Sequence, residues 1–265
     1  MKTVLLTSNS YRHKYMARCL EEQTHLQLII TEEKSHKISD TSALNEEDAA
    51  FQEAHFQRRE NSEIEFFGKE GFPSKILQLK VSHGEINSEL TLKILKDLSP
   101  GYIILFGVSI IKADLLQTFR NRFINLHLGL SPWYKGSATN LFPLIDGRPE
   151  FVGATIHLAS EEVDAGRILH QLRPRLEEKD DLHEIGNKVI RQAGEILPKV
   201  LEKYQSGKIK LVRKENSGKI CRIIDLTTEK LRKAYQNIEG GMIADYLKNK
   251  EKIDAEFPII SNLNE

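Results

Sequence analysis

Residues 102–106 read Tyr-Ile-Ile-Leu-Phe, an apolar run entered through Pro100-Gly101 and left through Gly107. A strand that is apolar on both faces has to be covered on both, which is the situation of a central strand in a parallel sheet. The chain around it agrees. Residues 3–7 form a short apolar run, 11–22 have helical character and 26–30 form a second apolar run. This βαβ spacing predicts an α/β, Rossmann-like fold, a mostly parallel twisted sheet with helices on both faces. Residues 31–42 are polar and read as a loop, and 44–67, rich in Glu, Ala, Gln and Arg, as a long, mostly exposed helix. A strand is expected at 76–81, a helix capped by Asn87 and ending near Leu98, a short helix at 112–119 and a strand at 123–127. Two further strands, 152–158 and 168–172, flank a turn at 160–166. Asp181 and Glu184 form a D-x-x-E capping box that opens a helix reaching about Tyr204.

A chain of 265 residues makes one large domain, or one with a small appendage. The expected division is a catalytic unit at 1–205 and a small, basic α/β extension at 206–265, with a capped helix from Thr227 and a break at Gly240-Gly241. Between Lys203 and Lys233 ten Lys or Arg face three acids, but the whole chain balances 38 basic against 38 acidic residues. That balance argues against a mainly electrostatic nucleic-acid binder. The apolar run at Val4–Leu6 is shorter than the roughly 7–15 residues of a secretory signal. The stretch 102–111, broken by Gly107 and Ser109, falls short of the ~20 residues of a membrane span. Cys19 and Cys221 stand apart with no C-x-x-C, which fits a reduced, cytoplasmic setting.

The candidate chemistry begins at the end of the strand 123–127. Side chains two apart on a strand share a face, so Asn125 and His127 point the same way, about 6.6 Å apart at ~3.3 Å per residue. An amide and an imidazole so placed can both reach one substrate oxygen; alone, N-x-H is as readily two polar residues at a strand end. The chain then leaves through Pro132-Trp133-Tyr134-Lys135-Gly136 at the sheet edge where ligands bind, with Trp133 equally readable as a hydrophobic plug. His157 ends the next strand, and Asp164 sits in a turn closed by Ala165-Gly166, a place where Asp is more often a turn residue. Ser8, Asn9, Ser10 and Arg12 follow the first strand and could present helix N-terminal amides to a phosphate, though without the glycines of a phosphate loop. There is no G-x-G-x-x-G, no H-E-x-x-H and no G-x-S-x-G, so a dinucleotide, metal or α/β-hydrolase site is not expected.

The order of these pieces is more specific than any one of them. Asn125-x-His127, the Pro-aromatic-basic-Gly loop 132–136, Gly-Ala-Thr-Ile-His at 153–157 and Val-Asp-Ala-Gly at 163–166 resemble the formyltransferases that use 10-formyltetrahydrofolate. That family acts on glycinamide ribonucleotide, methionyl-tRNA and amino sugars. The resemblance implies a catalytic trio of Asn125, His127 and Asp164. It implies a folate site on Phe106, Gly107, Ile110, Ile111 and Lys112, with a second loop of Ser160, Glu161, Glu162 and Val163. Acceptor contacts are expected at Ser8, Asn9, Ser10, Arg12, Lys135, Gly136 and His157, with no metal. In the implied chemistry, Asn125 and a protonated His127 stabilise the formyl oxygen, and Asp164 takes the amine's proton.

Some positions depart from the pattern. Gly129 stands where the family has Ser, Ile110 where it has Arg, and Ser8–Arg12 lacks the glycine-rich turn of the ribonucleotide enzymes. The segment after residue 205 is too short for the C-terminal barrel of the tRNA enzymes. The expected acceptor is therefore a small amine, first an amino sugar on a nucleotide carrier, with tRNA disfavoured and a homodimer left open. Residues 44–67, with Arg58, Arg59 and Glu60, are a candidate acceptor wall. The rivals are methionyl-tRNA or glycinamide ribonucleotide as acceptor, a formyltetrahydrofolate hydrolase, and a non-catalytic folate binder.

Overall fold

The computed structural model describes residues 1–34, 41–215 and 218–263. The chain runs β1 (Lys2–Thr7), α1 (Tyr11–Gln23), β2 (His25–Glu32), α2 (Glu46–Phe67), β3 (Leu77–Val81), α3 (Glu89–Leu98), β4 (Tyr102–Phe106), α4 (Ala113–Thr118) and β5 (Phe123–His127). It continues through β6 (Tyr134–Gly136), α5 (Phe142–Ile145), β7 (Ala154–Leu158), β8 (Ile168–Leu172), α6 (Leu182–Gln205), β9 (Lys219–Cys221), α7 (Thr228–Glu239), α8 (Met242–Lys248) and α9 (Lys250–Glu256).

Seven strands form one sheet in the order β3-β2-β1-β4-β5-β7-β8. Strands β3 to β5 are parallel; β7 runs antiparallel to β5, and β8 antiparallel to β7. The alternation of strand side chains divides the core in two. Leu5, Ile29, Ile104 and Ile124 pack on one face with Met16 and Leu20 of α1 and Val189 and Leu197 of α6. Val4, Leu6, Leu28, Ile30 and Ile103 pack on the other with Leu95 of α3 and Leu115 of α4. Both faces are therefore dry, as the apolar run at 102–106 required.

Strand order reverses between β1, which pairs with β2, and β4, which pairs with β1 on its other side. The loops leaving these strands diverge and open a cleft at their carboxyl ends.

Several local expectations are corrected. Thr31 and Glu32 continue β2, so the polar segment begins later, and residues 35–40 of the expected loop lie outside the described residues. The helix α2 starts at Glu46, because Asn45 caps it by accepting from Asp48 N at 2.9 Å. The cap of α3 is Ser88, which accepts from Thr91 N at 3.2 Å. Asn87 instead ties the loop after β4, accepting from Lys112 N at 2.7 Å and donating to Ile110 O at 3.0 Å. The box of Asp181 and Glu184 is in place at the start of α6.

Residues 206–265 do not stand apart in space where they are described. Val212 bridges Ile168, the Ile260 carbonyl accepts from Gln171 N at 2.7 Å, and Asn262 N donates to His170 Nδ1 at 3.0 Å. Arg173 grips the end of α9 through Phe257 O at 2.6 Å and Asp254 at 3.3 Å. Trp133 packs against Phe151 and Phe257, with ring centres 5.1 and 6.2 Å away, and is not among the residues that line the cleft.

Candidate active site

The cleft has a volume of about 2130 Å³ and is lined by the chain after β1, the ends of β4, β5 and β7, residues 159–164, one face of α2 and the segment around β9. Asn125, His127 and Asp164 all line it.

Register brings the first members together. In the antiparallel pair β5–β7, Asn125 lies opposite His157 and His127 opposite Thr155. Directly opposed residues share a face at close range, and Asn125 Nδ2 reaches His157 Nε2 at 3.1 Å. The Nδ1–H of His157 donates to its neighbour's carbonyl, Leu158 O, at 2.9 Å, which leaves Nε2 as the acceptor for Asn125. The second Nδ2–H of Asn125 goes to Asp164 Oδ1 at 3.2 Å.

Asp164 arrives from the loop between β7 and β8 with φ of 50°, a left-handed conformation that Asp tolerates. The loop closes because Gly166 has no side chain: a Cβ there would sit 1.6 Å from Leu158 O. Asp164 Oδ2 accepts from Gly136 N at 2.8 Å and faces His127 Nδ1 at 3.3 Å. Burial alone would raise the Asp164 pKa. The rings of His127 and His157 and the Gly136 N–H outweigh it and hold the carboxyl below the usual range.

His127 corrects an expectation. Burial lowers the His127 pKa from its ordinary 6.5, against the pull of Asp164, and so favours the neutral imidazole over the protonated ring that was expected. Its two nitrogens nonetheless face two acceptors, Asp164 Oδ2 and Tyr134 O, the latter at 3.0 Å from Nε2. A neutral ring has one proton for both; an imidazolium serves both. The site is thus arranged to receive a proton.

The loop after β5 is fixed by a buried polar set. Ser131 N donates to Thr155 Oγ1 at 3.0 Å, Thr155 Oγ1 to Gly129 O at 2.7 Å, and Gln171 Nε2 to Ser131 O at 2.6 Å. Gly136 has φ of 93°, and a Cβ there would lie 2.2 Å from Cys221 O, because β9 pairs with β6. The segment after residue 205 therefore supplies part of the cleft wall, with Ile220, Arg222, Ile223 and Ile224. Nothing in the sequence around Lys219 marks that strand.

Of the expected folate residues, Phe106, Gly107, Ile110, Ile111, Ser160, Glu161, Glu162 and Val163 line the cleft, and Lys112 does not. Ile110 and Val163 are exposed within it. The carboxylate of Glu32 holds the first loop, accepting from Ser109 N at 2.6 Å, Ser109 Oγ at 2.7 Å and Gly84 N at 2.8 Å. Of the expected acceptor residues, Asn9, Ser10, Arg12, Lys135, Gly136 and His157 line the cleft. Ser8 is buried beneath it. His157 is engaged with Asn125, and Arg12 is paired with Glu63, so neither is free to act as a simple acceptor contact. The helix α2 does contribute a wall, with His55, Arg59, Glu60 and Glu63. Sequence reading passed over His55 and His183, which both meet the Tyr235 hydroxyl, at 3.0 and 3.1 Å. Among the described residues no group of three His, Cys, Asp or Glu is placed to hold a metal ion, and no helix is long and apolar enough to cross a membrane.

Known proteins share this architecture. The sugar N-formyltransferase from Shewanella sp. FDAARGOS_354 superposes with a TM-score of 0.58 at 16% identity, over 90% of this chain and 87% of that one. Phosphoribosylglycinamide formyltransferase from Anaplasma phagocytophilum gives 0.55 at 16% identity, over 82% and 95%. At such identities the likeness is one of fold. In sequence, methionyl-tRNA formyltransferase from Finegoldia magna is 27% identical over 166 residues, covering 62% of this chain and 51% of that protein. Phosphoribosylglycinamide formyltransferase from Haemophilus influenzae is 30% identical over 118 residues, covering 44% and 55%. The chain thus spans about half the length of these curated relatives. Residues 1–201, which contain Asn125, His127 and Asp164, match the formyl transferase family throughout, and the chain belongs to that family.

Proposed function

We propose that this protein transfers the formyl group of 10-formyltetrahydrofolate to a primary amine of a small acceptor, an amino sugar on a nucleotide carrier being the first candidate. Residues 1–205 carry the chemistry in this reading, and 206–265 complete the acceptor wall.

The observation that carries the reading is the convergence of Asn125, His127 and Asp164 at one point of the cleft, through contacts of 3.2 and 3.3 Å. A neutral amine attacks the formyl carbon and negative charge grows on the formyl oxygen. The Asn125 amide is the donor for that oxygen, giving up its longer bond to Asp164 to make the new one. The amine's proton passes to the Asp164 carboxylate, directly or through a water, and settles on the His127–Asp164 pair. There the imidazolium has an acceptor at each nitrogen. The tetrahedral adduct then collapses by breaking the bond from the formyl carbon to N10 of the donor; the proton held by the pair goes to N10, and tetrahydrofolate leaves as the neutral amine. The donor's pteridine has a slot between the loop carrying Ile110 and Ile111 and the loop Ser160, Glu161, Glu162 and Val163.

The test is turnover of 10-formyltetrahydrofolate with a panel of nucleotide-linked amino sugars, glycinamide ribonucleotide and methionyl-tRNA. Formylated amino sugar from the wild type, formed at least about 10²-fold more slowly by Asp164→Asn, is the expected result. Formate release independent of any amine would make the protein a hydrolase, and folate binding without turnover would make it a binder.

A further inference from the structure

Beyond the catalytic trio the cleft continues to a wall built by α1, α2 and the end of β2, which the proposed chemistry leaves unused. In an open α/β sheet the N-terminus of the first helix is where an anion is ordinarily received. Here the chain fills that place itself. Glu63 of α2 is buried, with 4% of its side chain exposed. It pairs with the Arg12 guanidinium, accepts from Arg12 N at 3.4 Å and takes Arg59 Nε at 3.3 Å.

Glu63 accounts for Arg12, which is buried beside it. Three other cations line this wall: Lys14, whose Nζ sits 4.8 Å from the centre of the Tyr11 ring, and Arg59 and Lys34. The Arg59 side chain is 40% exposed and contacts Glu63 through Nε. Lys34 is accessible to water but ringed by the walls of the cleft, and it makes no ion pair among the described residues. Of the acids on this wall, Glu32 is engaged by Ser109 and Gly84, and Asp48 by Arg232. Glu33 is exposed at the rim, and Glu60 also lines the cleft. The positive field is felt by its neighbours. Enclosure, then Arg12 and Arg59, bring Lys34 down to about 7, and Arg59 also disfavours charge on His13 and His55.

We propose that Arg59 and Lys34 form an anion subsite that takes an acidic group of the acceptor, phosphate or carboxylate, set outward of the α1 N-terminus because Glu63 already occupies it. As a statement about the acceptor this rests on the formyl-transfer reading; as a statement about anion binding it does not.

The experiment is calorimetric titration of the full chain with inorganic phosphate and, separately, with acetate, with no folate present. Binding by the wild type that weakens as salt rises is expected, together with proton uptake at pH 8, where Lys34 is mostly neutral. Arg59→Gln and Lys34→Gln should each weaken binding roughly tenfold or more. Arg59→Lys and Lys34→Arg should retain most of it, which separates loss of charge from loss of fold. Glu63→Gln should tighten binding, because it releases Arg12 and the helix end, and a merely damaged protein would not gain affinity. Preference for phosphate or for acetate names the acidic group. A wild type that binds neither, or a Lys34→Gln/Arg59→Gln double variant that binds as the wild type does, overturns the proposal. Anion binding retained in a chain that transfers no formyl group would overturn the preceding reading and leave this one standing.

Discussion

Asn125 donates to Asp164 across 3.2 Å of space and 39 residues of chain. One amide thereby joins a sheet strand to the tip of a loop, and the same carboxylate reaches back to His127 on that strand. Removing any member should disturb chemistry more than folding. Asn125→Ala takes away the amide that the proposed chemistry directs at the formyl oxygen, and a fall in kcat of about 10²–10³-fold is expected. Asp164→Asn should cost about 10²–10⁴-fold. Equilibrium binding of a folate analogue to both variants, near the wild-type value, would place the loss in the reaction step.

His157 is a positioning residue. It holds Asn125 through Nε2 and is itself fixed by Leu158 O. His157→Phe should lower kcat while the KM for the formyl donor stays close to that of the wild type, and His157→Gln, which keeps an acceptor for the amide, should recover part of the loss. Steady-state kinetics of the pair decides whether the ring acts through Asn125 or merely fills space.

Gly166 is where the loop bearing Asp164 rejoins the sheet. An added methyl would overlap Leu158 O, a backbone atom that cannot turn aside. Gly166→Ala should destabilise the fold by about 1–3 kcal/mol or more and also reduce turnover, because the shift it forces moves Asp164. Urea unfolding monitored beside the formyl-transfer assay reads both effects.

Burial lowers His55 to about 3 and His170 and His183 to about 4. Each is depressed from an ordinary 6.5, so the unfolded chain binds more protons than the folded one between those values. The contribution to stability is complete above pH 6.5 and is lost as pH falls toward 4. Denaturant midpoints should hold between pH 7 and 8 and drop steeply between pH 6 and 4. Tyr235→Phe, which removes the hydroxyl shared by His55 and His183, should cost about 0.5–1.5 kcal/mol at pH 7.5.

Arg173 ties β8 to the end of the chain through Glu150 O, Phe257 O and Asp254. Arg173→Met should destabilise by about 1–3 kcal/mol, because the two carbonyls lose a charged donor. Hydrogen exchange should show the loss first in α8 and α9.

The sequence by itself determined what is local. The apolar run at 102–106 dictated a central strand with both faces covered, the period-two spacing put Asn125 and His127 on one face, and Asp181 with Glu184 marked where α6 starts. The order of motifs between residues 125 and 166 carried the resemblance to the formyltransferases, and that resemblance implied Asp164 as their companion. What the tertiary structure decided depends on contacts between segments far apart in sequence. The register of β7 against β5 set His157 opposite Asn125. The pairing of β9 with β6 put residues beyond 205 into the cleft wall. The placement of Glu63 of α2 against the start of α1 engaged Arg12, one of the residues expected to meet a phosphate. The downward pull of burial on His127 was hidden for the same reason: a pKa depends on desolvation and on charges brought near by folding, and neither is written in the order of residues along the chain.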